Sequence, residues 1–304
     1  DEYLKQRLSR YLTAQGFFET ITPPFTNQET EAALFDEADY NPVPVVNPLN
    51  QAQNSLRTTP LPSGLEAVRY NLRRKQQNLR LFELARIYHQ IGDETQEQDV
   101  LSILLTGHYH EASWYQPAAE VDLYYLKAIV HNLLLASGIN QWEVQEANSS
   151  ELTNGLALAV DGKPLASLGS VSPHILKAYE LKQPVLHASL NLDILKALYR
   201  SSVPQLSPIS KFPQIERDIA ILVPALQPYQ TVKNTIEAAA IPELVDLHLF
   251  DVYQGEHVAE GTQSLAIRLI LQDREKTMED DRIDTIINHL LTKLKAEAEA
   301  QIRQ

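Results

Sequence analysis

By type and spacing, the side chains best suited to chemistry are the histidines of His108-Tyr109-His110-Glu111. Two histidines at i and i+2 at a strand end project to one side and supply two of the ligands that zinc requires. No third ligand is evident nearby, so no metal site is expected. The patterns that cradle phosphates, expose a serine or hold zinc are also missing: there is no Gly-x-x-x-x-Gly-Lys, Gly-x-Gly-x-x-Gly, Gly-x-Ser-x-Gly or His-Glu-x-x-His. The 39 acidic residues offer no pair that can be singled out for acid/base work without a fold. The chain has no cysteine, which rules out disulfides, thiolate metal sites and cysteine nucleophiles and fits a reducing cytoplasm.

The elements that would position any site are organised around Leu56 to Tyr88. Leu61, Leu65, Val68 and Leu72 have the spacing of an amphipathic helix. Arg73, Arg74 and Lys75 follow at its C-terminal end, where cations suit the helix dipole. Leu79 to Tyr88 reads as a strand that is apolar on both faces, hence central in a sheet.

Before this stretch, Glu2 to Leu12 reads as a helix stopped at Gly16, Phe17 to Thr22 as a strand ended by Pro23-Pro24, and Thr26 to Leu34 as a short helix. Asp36 to Pro44 is irregular, and Val45 to Leu49 reads as a short strand. Beyond it, a polar loop, His89 to Gln98, leads to a returning strand, Val100 to Thr106. Asp122 to Leu135 is an amphipathic helix. Asp161-Gly162 between Gly155–Val160 and Pro164–Val171 is the best hairpin signal in the chain. Ser172-Pro173 starts a helix to Tyr179, Val185 to Leu192 is a strand, and Asp193 caps a helix to Tyr199.

Arg200 to Ser210, rich in serine and proline, reads as a linker. The pattern then becomes βαββαβ: strand Arg217–Val223, helix Thr231–Ala240, strands Leu244–Tyr253 and Ser264–Leu271, helix from Met278 to about Lys295, and a short strand near Ala298 to Arg303. The fold class is therefore α+β in two domains, Asp1 to about Val203 and about Ser207 to Gln304. Length, 44% hydrophobic and 21% charged residues describe a globular protein, and no apolar run reaches membrane-spanning length. Net charge of −13 argues against a globally basic nucleic-acid binder, so RNA contact would be local. With Asp at position 1, the chain is expected to be part of something longer.

Several segments carry a resemblance. Asn47-Pro48-Leu49, Ser55-Leu56-Arg57-Thr58, Leu61-Pro62-Ser63-Gly64-Leu65 and Leu81-Phe82-Glu83-Leu84-Ala85-Arg86-Ile87-Tyr88 resemble a run in bacterial phenylalanyl-tRNA synthetase β subunits. Asp122 to Lys127 is similar to that family's helix start, with Tyr125 and Leu126 as departures. Asp161-Gly162-Lys163 with Gly169 and Pro173 is similar to its hairpin. Lys211-Phe212-Pro213, Arg217-Asp218-Ile219-Ala220, Leu249 to Gly255, Glu260-Gly261, Ser264-Leu265-Ala266 and Gln272-Asp273 resemble the ferredoxin-like anticodon-binding domain that closes that subunit. The family often has lysines where this chain has Thr262 and Gln263.

The resemblance implies a class II synthetase-like antiparallel module followed by a ferredoxin-like anticodon-binding domain. It implies a catalytically silent module packed against an α subunit in an assembly of two α and two β chains. ATP, phenylalanine and Mg²⁺ then belong to the holoenzyme, with no cofactor in this chain. Class II activation needs an arginine on the motif 2 strand-loop, yet the strand ends Ala85-Arg86-Ile87-Tyr88 and continues His89-Gln90 without one. It also needs a glycine-rich strand and an arginine-bearing helix, whereas Val185 to Tyr199 has no glycine and its first basic residue is Lys196. Arg86 is left as structural, paired with a carboxylate, or a relic. No catalytic residue is therefore expected.

The resemblance makes Tyr3, Leu4, Leu8 and Tyr11 of the first helix candidates for a subunit interface, or equally for core. In the second domain, Lys211, Phe212, Arg217, Tyr253 and Arg268 are the candidate tRNA(Phe) contacts: Tyr253 and Arg268 on an open sheet face, Lys211 and Phe212 at its rim. Two other readings are a self-sufficient class II-like ligase and a module that binds an amino acid as a regulatory ligand.

Overall fold

Leucines and isoleucines at alternating positions build the first unit around a seven-stranded sheet apolar on both faces. The structure, a computed structural model, describes residues 2–32, 41–147, 149–201, 209–255 and 258–302. The chain divides into Asp1–Pro204 and Gln205–Gln304. Most of the expected linker, Arg200 to Ser210, lies outside the described residues, as do Leu34 of the expected second helix and Arg303 of the last strand.

The first unit opens with α1 (Glu2–Ala14), whose Leu4, Leu8 and Leu12 recur one turn apart and are buried. A small three-stranded sheet follows from β2 (Phe25–Thr26), β3 (Val43–Pro44) and β4 (Ser55–Leu56), with β1 (Phe18–Glu19) before it and α2 (Gln28–Ala32) within it. Then come α3 (Leu61–Leu72), β5 (Leu79–Ile91), β6 (Glu94–Thr106), the small pair β7 (His108–His110) and β8 (Ala119–Glu120), and α4 (Leu123–Ala136). Asp122 caps α4, its Oδ1 accepting the Tyr125 N–H at 2.7 Å. β9 (Glu143–Glu146), β10 (Leu152–Val160), β11 (Lys163–Val171), α5 (Pro173–Ala178), β12 (Val185–Asn191) and α6 (Leu192–Ser201) complete the unit.

The large sheet has the order β1-β5-β6-β12-β11-β10-β9. Only its edge pair, β1 with β5, is parallel. On one face Phe82, Leu101, Ile103 and Leu105 pack with leucines of α1, α4 and α6. On the other, Leu79, Leu81, Leu104 and Val185 pack with Leu61, Leu65 and Val68 of α3. Burial of each such leucine contributes about 2 kcal/mol. Gly64 lets α3 approach closely: a Cβ there would lie 2.2 Å from Leu104 Cδ1.

Three local expectations change. The predicted polar loop His89–Gln98 is strand on both sides of Gly92-Asp93, in register as far as Ile91 opposite Glu94. Gly92, at φ +60, takes the first central position of a tight turn. This end of the hairpin is largely exposed, so it lacks the apolar alternation that marks a half-buried strand. The Phe17–Thr22 strand shrinks to Phe18–Glu19, and the strand expected at Val45–Leu49 lies two residues earlier, at Val43–Pro44. The Asp161-Gly162 hairpin forms with both residues at positive φ, +50 and +72, between the paired Val160 and Lys163.

The second unit is β13 (Ile215–Pro224), α7 (Tyr229–Glu237), β14 (Leu244–Tyr253), β15 (Thr262–Leu271), α8 (Asp280–Glu297) and β16 (Gln301–Ile302). Its sheet order is β14-β15-β13-β16. Leu265, Ile267, Leu269 and Leu271 face α7 and α8, packing on Val232, Ile236, Ile283, Ile286, Leu290 and Leu294. Among the described residues, no helix of the unit lies on the other face of this sheet.

Candidate functional site

In the first unit the strongest electrostatic feature is a cluster around Asp99 on β6. Asp99 Oδ2 lies 2.9 Å from Lys5 Nζ on α1 and 2.9 Å from Lys196 Nζ on α6. Its Oδ1 accepts from Arg86 Nε at 2.9 Å, and Arg86 Nη1 reaches Glu97 at 2.7 Å. Asp193 Oδ1 is 3.2 Å from Lys196, while its Oδ2 accepts the Asp99 backbone N–H at 3.1 Å. Burial alone would raise the Asp99 pKa, but hydrogen bonds from Lys5, Lys196 and Arg86 outweigh it and hold the carboxyl far below the usual range. Hydrogen bonding to Asp99 raises Arg86 in turn. Of the alternatives the sequence left for Arg86, the structure selects pairing with carboxylates. Lys196 is committed in the same way.

Two further polar pairs lie deeper. Arg57 and Glu83 face each other at 2.8 Å, with side chains 5% and 7% exposed. Arg57 also donates through Nε to the Arg86 carbonyl at 2.9 Å and through Nη1 to Thr22 Oγ1 at 2.8 Å. On the same sheet, His187 Nε2 meets Ser102 Oγ at 3.1 Å, and desolvation lowers the imidazole pKa to about 4. The serine–histidine pair is sealed in the core, out of reach of any substrate.

His108 and His110 turn to different neighbours, Nδ1 of the first to Asn78 Oδ1 at 3.3 Å and Nδ1 of the second to the Glu111 carbonyl at 3.3 Å. Among the described residues no three metal-ligating side chains converge.

The four candidate interface residues of α1 separate. Leu4 and Leu8 are 2% exposed and belong to the unit's own core. Tyr11 is half-buried against that core, and Tyr3 is exposed. Their i, i+4 spacing had suited core and interface alike. Further exposed apolar side chains are Phe18 and Ile21 at the β1 edge, and Trp114, Tyr115 and Tyr124 around β7 and β8. Tyr109 stacks on Tyr125 with centroids 4.9 Å apart.

In the second unit, register assigns the sheet's open face. Asp218 pairs with Arg268, and Ala220 with Ala266. On the other side of β15, His248 pairs with Arg268, Asp251 with Ala266 and Tyr253 with Ser264. Arg268 is not free: Nε and Nη2 donate to Asp218 Oδ1 and Oδ2 at 2.8 and 2.9 Å, and Nη1 lies 2.9 Å from Glu216. Hydrogen bonding to Arg268 lowers the Asp218 pKa. Tyr253 is half-buried and its hydroxyl folds back over Gly255, where a Cβ would lie 2.6 Å away.

Arg217 does not join this face. It shares the parity of Ile219, Ile221 and Val223 and pairs with Leu269, on the helix side, where Nη2 is 3.5 Å from Asp280 at the start of α8. The sequence had offered it as an RNA contact; alternation along β13 puts it instead with Ile219, Ile221 and Val223. Lys211 is exposed ahead of β13, and Phe212 is half-buried, its carbonyl accepting from Gln272 Nε2 at 2.7 Å. Sequence reasoning missed Glu216, which reaches Arg268 diagonally, and Phe250, which a β-bulge between Leu249 and Asp251 removes from alternation. Among the described residues the open face sets Glu216, Asp218, Asp246 and Asp251 against one guanidinium.

Known proteins match both units. The family described as phenylalanyl tRNA synthetase beta chain CLM domain matches residues 1–192, and the ferredoxin-fold anticodon binding domain matches residues 210–303. The phenylalanine–tRNA ligase beta subunit of Carboxydothermus hydrogenoformans is 32% identical over 303 residues, covering 98% of this chain and 38% of its own length. That of Nitrosospira multiformis is 33% identical over 303 residues, covering 98% and 37%. The chain thus spans under two fifths of the length of these curated relatives. A crystal structure of pyrrolysyl-tRNA synthetase from Desulfitobacterium hafniense superposes with a TM-score of 0.52 at 18% identity, covering 67% of this chain and 73% of that one. This last likeness shows a shared fold alone.

Proposed function

The chain belongs to the phenylalanyl-tRNA synthetase β-chain family, and on that premise we propose that it serves phenylalanine–tRNA ligation without performing the chemistry. Its first unit keeps a synthetase-like sheet as a scaffold for a catalytic α-type partner in a heterotetramer. Its second unit reads the anticodon arm of tRNA(Phe) through the open sheet face. ATP, Mg²⁺ and phenylalanine belong to the partner's site, and the assembly works in the cytoplasm.

The observation that carries this reading is the commitment of Arg86 and Lys196 to carboxylates around Asp99. A triphosphate has to be met by positioned, available cations. Here each cation already has a carboxylate at hydrogen-bond distance, and the cluster includes Glu97 and Asp193 besides Asp99. On the second unit, Tyr253, Asp251 and Ala266 offer one aromatic side chain, one acceptor and a small neighbour, a surface suited to unpaired bases rather than to phosphate.

Phenylalanine-dependent pyrophosphate exchange tests the first half. The isolated chain is expected to show none, and exchange above background refutes the reading. Mixing the chain with the family's α subunit and measuring the mass of the product tests the second partner. Binding of an anticodon stem-loop, compared with a stem of the same length closed by another loop, tests the RNA role.

A further inference from the structure

The bulge in β14 leaves one large ring without a cross-strand partner, two residues after His248 of the open face. Phe250 is the extra residue between Leu249 and Asp251, and it is 54% exposed. The Arg268 guanidinium carbon lies 5.4 Å from the centre of its ring. On its other side the guanidinium is held by both oxygens of Asp218 and by Glu216, yet its side chain stays 41% exposed. Ring and guanidinium thus occupy adjacent positions, and the guanidinium is fixed in place before any ligand arrives.

Two carboxylates against one guanidinium leave little attraction for phosphate, whose binding relies on cations able to replace counterions. What remains available is the flat surface. A guanidinium plane stacks on aromatic rings and on bases, and fixing it in advance removes the ordering cost of a long flexible side chain. We propose that Phe250 and Arg268 form a preformed stacking step for one unpaired RNA base, separate from the position of Tyr253, with Asp218 and Glu216 as the residues that hold the guanidinium in place. This rests on the anticodon-arm reading above and adds to it a second base contact that is apolar and planar rather than ionic.

The test uses the whole chain and anticodon stem-loops carrying 2-aminopurine at one loop position at a time, with affinity read by anisotropy at several salt concentrations. Phe250→Ala is expected to weaken binding about tenfold, as loss of one base–aromatic stack does, and to abolish the 2-aminopurine response at a single loop position. Phe250→Trp is expected to retain both. Arg268→Gln is expected to lose the same response with an unchanged salt slope. Asp218→Asn is expected to lose it although Arg268 is still present, a result that separates positioning from mere presence. Urea midpoints of all variants, expected to stay near the wild-type value because Phe250 lies outside the buried core, show that each is folded. Wild-type affinity and an intact response in Phe250→Ala overturn the stacking step while leaving the anticodon reading standing. A salt slope lowered by about one in Arg268→Gln overturns it too, since that marks a phosphate contact. No stem-loop binding by the wild-type chain removes both readings together.

Discussion

The guanidinium of Arg57 lies 2.8 Å from the carboxylate of Glu83 with less than a tenth of either side chain exposed. The pair ties the residue that follows the short β4 to the long strand β5, and Thr22 and the Arg86 carbonyl take up further donors and acceptors. A buried pair of this kind stands only while both partners are present, because each alone is an uncompensated charge.

Glu83→Gln should therefore destabilise the first unit by about 3–5 kcal/mol. Replacing both partners together, Arg57→Met with Glu83→Leu, should recover most of that loss. Urea unfolding of the two single variants and the double variant checks this. Additive losses in the double variant would contradict a coupled pair.

Asp99 gives a second prediction. Its pKa is lower folded than unfolded, so the unfolded chain takes up the proton first as pH falls. Its stabilisation is complete above the ordinary carboxylate range and is lost progressively below about pH 4. Asp99→Asn should cost on the order of 2 kcal/mol at neutral pH and flatten the acid limb of the stability curve. Urea midpoints across pH 2.5 to 7 measure both.

His187 acts in a different window. Burial lowers its pKa to about 4 from an ordinary 6.5. Between those values the unfolded imidazole binds a proton that the folded one refuses, so stability declines as pH drops through the interval. The full decline amounts to about 3 kcal/mol. A His187→Asn variant should lose this dependence while keeping the fall below pH 4 that belongs to Asp99. A curve for His187→Asn that still declines from 6.5 to 4 like the parent's would assign the effect elsewhere.

Arg217 should prove dispensable for RNA. It lies on the helix side of its sheet and faces Asp280 in an exposed pair. Arg217→Gln is expected to leave stem-loop affinity within twofold and stability within about 1 kcal/mol. Anisotropy and thermal melting check the two parts, and a tenfold loss of affinity would return Arg217 to the interface.

Much of the architecture was legible because it is local. Leu61, Leu65 and Val68 announce α3, Asp161-Gly162 announces its hairpin, and the order of the second unit follows from alternation and helical spacing alone. What stayed hidden has a physical reason in each case. Glu94 to Glu97 form a strand that no apolar alternation marks. Leu4 and Leu8 have a spacing that fits a core and an interface equally, and only packing separates them. Lys5, Asp99 and Lys196 meet from three distant points in the chain, as do Ser102 and His187. Asp251 and Tyr253 join His248 on the open face only because of a bulge at Phe250 that alternation does not foresee. The carboxylates that hold Arg268 were visible as residues, but their partnership depends on cross-strand register.

The place of β12 in the large sheet has a consequence for how the first unit assembles. The hairpins β5–β6 and β10–β11 each form from neighbouring sequence, but they are joined only through β12, made after both of them. Until Val185–Asn191 leaves the ribosome, each hairpin presents an unsatisfied inner edge, a template for wrong pairing. Insertion of that one strand is the keystone step: it closes both edges at once, and its pairing with β6 spans a long sequence separation of the kind that makes folding slow.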